Sequence, residues 1–117
     1  MKRIGPSAPP PVIYRAGEGE WQDSGFPGLT LKQLFVDPFT GNATLLLRMT
    51  AGAVVPRHRH FGLEHCYVLE GDLVFDDHTL YAGDYEVAAE SIDHSPATTR
   101  HGCLLLIMNN QRDQQLA

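Results

Sequence analysis

Apolar runs in this chain are short, turn residues separate them, and none keeps a helical period over about eleven residues. That pattern predicts an all-β protein. Strands are expected over residues 29–36, 44–50, 53–55, 65–69, 73–75, 79–81, 85–88 and 103–108. The breaks are turn material: Asp37-Pro38, Thr40-Gly41-Asn42, Glu70-Gly71-Asp72, Asp76-Asp77 and Gly83-Asp84. Short strands so closely spaced suggest a sandwich or a small barrel, and the sequence carries no internal repeat. A length of 117 residues accommodates one such domain.

Residues 5–11 read GPSAPPP, where four prolines remove backbone donors and little can be buried. Residues 1–11 are therefore expected to form a flexible arm, 12–108 the folded domain, and the Asn/Gln-rich stretch 109–117 a tail. The longest unbroken apolar run, 103–108, is far too short to span a bilayer. After Lys2 and Arg3 comes the Gly/Pro tract rather than the apolar segment of a signal peptide. A net charge of −5 with nine Lys and Arg leaves no nucleic-acid footprint. Two cysteines, Cys66 and Cys103, are too few for a secreted disulfide scaffold. The expected setting is cytoplasmic, with a small-molecule substrate or effector and neither membrane nor nucleic acid as partner.

Four residues combine ligand chemistry with strand parity: His58, His60, Glu64 and His94. Side chains at i and i+2 share one face of a strand, so His58 and His60 form a two-imidazole pincer. Glu64 keeps the same parity, and Gly62 lets the chain bend between them. His94 has to arrive from another strand. Three imidazoles and one carboxylate suit one divalent transition metal: iron, zinc, manganese, nickel or copper, with iron or zinc preferred.

An isolated H-x-H arises by chance in about a third of chains with this histidine content, so the spacing around it carries the weight. His58 and His60 sit in the frame Gly52-x5-His58-x-His60-x3-Glu64-x6-Gly71, and further on comes Gly83-x5-Ala89-Glu90-Ser91-x2-His94-x3-Thr98. The first frame resembles the first signature motif of the cupin superfamily at every position. The second is similar in its leading glycine, spacing and histidine, and departs from the family pattern at Ala89, Ser91 and Thr98. The surrounding texture, from Trp21 through Leu34-Phe35, Arg48, Tyr67 to Gly71, Ala82 to Tyr85 and Gly102-Cys103, resembles the cupin domain of ChrR-type anti-sigma factors and its stand-alone relatives.

That resemblance implies a double-stranded β-helix, a jelly-roll barrel in a single domain, with His58, His60, Glu64 and His94 around one metal. It also implies a homodimer, here expected to form through an edge strand so that a sheet edge is covered. Three functions lie in the same neighbourhood. The first is a metal-dependent dioxygenase acting on a small enolisable ketone or diketone. The second is a ChrR-like zinc-binding regulatory module without turnover, and the third an isomerase or epimerase that needs no oxygen. Phe61, beside His60 on the expected mouth loop, is the candidate ligand contact. Arg57 and Arg59 have the opposite parity to the pincer and are expected to point away. Cys66, with the parity of Glu64, is expected inside as a small apolar residue, His65 on the surface or at an interface, and His78 exposed in a turn.

Overall fold

The computed structural model describes residues 10–56, 58–59, 61–89, 96–112 and 114–115. Residues 1–9 of the expected arm lie outside them. Among the described residues there are strands and turns and no helix, so no helix is long and apolar enough to cross a membrane. The all-β jelly-roll expectation holds.

One antiparallel sheet runs from β1 (Gln22–Asp23) through β2 (Leu29–Val36), β3 (Asn42–Met49) and β10 (Cys103–Asn110) to β6 (Glu64–Val74). The long β6 then serves two neighbourhoods. Its first residues pair with β8 (Tyr85–Ala88), and its last with β7 (Thr79–Tyr81) and, at Val74, with β9 (Ala97–Thr98), which pairs in turn with β4 (Val54–Val55). A separate short pair joins β5 (His58–Arg59) to β11 (Gln114–Gln115).

The two expected strands 65–69 and 73–75 are thus one, and Glu70-Gly71-Asp72 is not a reversal. The residues do bend the chain: Gly71 has φ +80°, and β10 shifts register between Leu104 and Leu105 opposite this point. A Cβ on Gly71 would overlap the Gly102 carbonyl oxygen, so the bend depends on close backbone approach as well as on turn chemistry. It carries β6 from one sheet into the other.

Inward positions follow period two. Cys103, Leu105 and Ile107 of β10 are buried with Leu47 and Met49 of β3 and Cys66 and Val68 of β6. Asp72 and Thr99 are buried polar residues in this core. The Thr99 hydroxyl donates to Asp72 Oδ1 at 2.7 Å, the Arg100 N–H donates to the same oxygen at 3.0 Å, and the Gly102 N–H donates to Thr99 Oγ1 at 3.1 Å. This network fixes the entry to β10.

The first residues of the stretch read from composition as a tail have partners elsewhere in the chain. Asn109 and Asn110 extend β10, and the buried Asn110 donates to the Thr40 carbonyl and to Asn42 Oδ1, both at 2.9 Å. Composition cannot display such pairing, because the acceptors lie about seventy positions earlier.

Candidate metal centre

The inner faces of β2, β3, β6 and β10 curl around a cavity of about 240 Å3. Leu31, Leu45, Leu47, Leu105 and Ile107 supply apolar wall, and Phe26 and Phe75 add aromatic surface. Polar groups are few: His58, Glu64 and Glu86 among them. An apolar chamber with a few convergent polar groups is the usual form of a small-ligand site.

Two of the four expected ligands lie among the described residues, and they converge. His58 Nε2 stands 3.6 Å from Glu64 Oε2, with both side chains about 85% buried (15% and 14% exposed). Donors held about 2.0–2.2 Å from a single ion lie roughly 3–3.5 Å apart, so this pair is close to ligating separation. Hydrogen bonding sets the tautomer as well. His58 Nδ1 lies 3.1 Å from the Pro56 carbonyl oxygen, which can only accept, so Nδ1 carries a proton and Nε2 is the nitrogen that faces Glu64. The donor chemistry and the tautomer both fit a divalent transition metal. His60 and His94, the other two expected ligands, lie outside the described residues, as does Arg57.

Strand parity sorts the neighbours as expected. Cys66 is buried in the cavity wall beside Glu64, while His65 lies on the opposite face, hydrogen-bonded through Nδ1 to the Tyr85 hydroxyl. Burial first, then the Glu64 and Glu86 carboxylates, push the Cys66 thiol up to about 12, so it is a neutral wall group. Cys103 is raised to about 11, chiefly by burial, and both cysteines are free thiols. Phe61 is 44% exposed, with the Arg112 guanidinium 3.8 Å from its ring centroid; the aromatic rings lining the cavity are Phe26 and Phe75.

Glu86 is the site residue that sequence reasoning missed. The β6–β8 register sets it opposite Cys66, on the cavity side. His78, expected merely exposed in its turn, holds it: Nε2 lies 2.6 Å from Glu86 Oε2, Nδ1 lies 2.6 Å from Asp77 Oδ1, and the ring stacks on Phe75 at 4.6 Å. The Asp77 hydrogen bond, then that of Glu86, holds the imidazole above its ordinary range. Alternation within 85–88 could have flagged Glu86 as a charge among apolar neighbours, yet the register that turns it inward is visible only in the fold.

Comparison with known proteins agrees with this architecture. The profile of the ChrR cupin-like domain matches residues 10–113. The anti-sigma-E factor ChrR of Cereibacter sphaeroides is 32% identical over 104 residues, covering 85% of this chain and 47% of that protein. The chain therefore spans about half the length of this curated relative. The crystal structure of Rhodobacter sphaeroides SigE in complex with the anti-sigma ChrR matches at 29% identity with a TM-score of 0.69, over 82% of this chain and 51% of the matched one. An acetylacetone dioxygenase from Acinetobacter johnsonii matches the whole chain and 84% of its own, with a TM-score of 0.79 at 16% identity, a likeness of fold.

Proposed function

Because the chain belongs to the ChrR cupin-like domain family, we propose that it is a metal-binding cupin in which His58, His60, Glu64 and His94 hold one divalent transition metal at the cavity wall. The cavity then takes a small enolisable ketone or diketone, which is cleaved with dioxygen. The observation that carries this reading is the His58–Glu64 donor pair opening onto an apolar chamber of about 240 Å3. A site serving structure alone has no use for such a space.

When bound, the metal supplies Lewis-acid polarisation of a substrate oxygen. The protein does the rest. Leu31, Leu45, Leu47, Leu105 and Ile107 bind the hydrocarbon part and exclude water. The Pro56 carbonyl keeps His58 in the tautomer that presents Nε2. Glu86, anchored by His78, is the carboxylate placed to take up the proton that an enolisable substrate releases.

A second reading has its own support: the relatives at 29% and 32% identity are anti-sigma proteins, which favours a zinc-holding regulatory module without turnover. Elemental analysis of protein purified without added metal, followed by oxygen-uptake trials with iron restored, separates the two. The dioxygenase reading expects diketone-dependent oxygen consumption that disappears in His94→Ala. One zinc per chain and no uptake with any diketone would establish the regulatory module instead. Product formation under anaerobic conditions would point to an isomerase.

A further inference from the structure

Glu64 and Glu86 line the same cavity from adjoining strands. In the β6–β8 ladder Glu64 pairs with Ala88 and Cys66 with Glu86, so the two carboxylate residues are diagonal neighbours. Residues at that offset stand roughly 7–8 Å apart. Each has its own neighbour: His58 Nε2 lies 3.6 Å from Glu64 Oε2, and His78 Nε2 lies 2.6 Å from Glu86 Oε2. Asp77 Oδ1 stands 2.6 Å from the other nitrogen of His78, and only the imidazolium donates at both, which offsets the charge of Glu86. Glu86 Oε1 has no donor among the described residues, although its side chain is only 26% exposed. The carboxylate thus keeps free lone pairs in a largely apolar chamber, where a matching donor binds well.

We propose that Glu86 sets the substrate class of this site: a small uncharged hydroxyketone, its ketone end at the His58–Glu64 pair and its hydroxyl donating to the Glu86 carboxylate. This rests on the ketone-binding reading above and narrows it to ketones that carry a hydroxyl. Charge decides against the other classes. No Lys or Arg lines the cavity among the described residues, so a carboxylate or phosphate at the Glu86 end meets like charge with no cation to pair it. An ammonium would leave water for a carboxylate that His78 already neutralises. A hydroxyl brings no charge and supplies the missing donor. Size acts in the same sense, because about 240 Å3 lies below the roughly 300–1,000 Å3 of pockets for drug-sized ligands. The diagonal offset of the two carboxylates suits a ketone and a hydroxyl only a few bonds apart.

Two ketones of matched shape test it: diacetone alcohol and methyl neopentyl ketone, which differ only in a hydroxyl for a methyl. Their affinities for the full chain at saturating zinc are read by NMR titration, without turnover. An apolar wall alone favours the methyl. Binding of diacetone alcohol at least fivefold more tightly is therefore the mark of a charge-assisted hydrogen bond, and it is the result expected. Glu86→Leu should reverse the order, and Glu86→Gln, an uncharged acceptor, should shrink the preference at least twofold. Binding of both ketones with no preference for the hydroxyl overturns the proposal and leaves the ketone reading standing. A preference that survives in Glu86→Leu assigns the hydroxyl to another group and overturns it equally. Binding of neither ketone overturns the ketone reading and the proposal together. Should Glu86→Leu not fold, Glu86→Gln decides, and an undiminished preference there counts as refutation.

Discussion

At the scale of single residues, the buried Asp72 and the exposed His78 make opposite claims about pH. The Thr99 hydroxyl, followed by the backbone N–H groups of Arg100 and His101, holds the Asp72 carboxyl below its ordinary value despite burial. A depressed carboxyl stabilises the fold above the unfolded value of about 3.9 and loses that contribution as pH falls through the folded value. Asp72→Asn should therefore flatten the acid limb of a melting-temperature profile while keeping an acceptor for Thr99. Asp72→Ala leaves a buried hydroxyl and an amide without an acceptor and should cost about 2–3 kcal/mol in chemical denaturation. His78 is raised, so its contribution is complete below about 6.5 and is lost as pH rises through the folded value. His78→Gln should remove a small decline in melting temperature near neutral pH; solvent screening keeps it small, and an unchanged profile would mean that the Asp77 and Glu86 contacts contribute nothing.

At the scale of elements, β6 decides the architecture, because one strand serves two sheets through the bend at Gly71. An alanine there meets both a φ of +80° and the Gly102 backbone, which cannot swing aside as a flexible side chain would. Gly71→Ala should cost more than about 2 kcal/mol or abolish folding, measured by urea denaturation; a loss below 1 kcal/mol would show that the two sheets tolerate a wider bend. The same strand marks how far sequence reasoning reaches. Parity predicts that Glu64 and Cys66 face one way and His65 the other, because parity is local. Glu70-Gly71-Asp72 has the composition of a turn, and only the approach of Gly102 makes it a bend within a strand. His58 and Glu64 are legible as a pair of donors from strand parity and spacing, whereas Glu86 needs the β6–β8 register to turn it toward the same cavity.

At the scale of the whole molecule, the candidate site draws on parts of the chain that composition treats as unrelated. His58 lies in β5, a two-residue strand whose ladder partner is Gln114–Gln115 near the C-terminus. Two residues of strand cannot hold a side chain's direction unaided, since so short a segment gains too little from its own contacts to offset the entropy of fixing its backbone. The barrel does not share this dependence, because its core residues lie in β2, β3, β4, β6, β7, β9 and β10 and between them. A chain ending at Arg112 should consequently keep its melting temperature without metal to within a few degrees. Its affinity for zinc, measured by calorimetric titration, should fall about 10–100-fold, the range seen when groups that orient a metal ligand are removed. Equal affinities in the two chains would mean that Pro56 and the cavity wall suffice to orient His58, and that β11 contributes nothing to the proposed metal site.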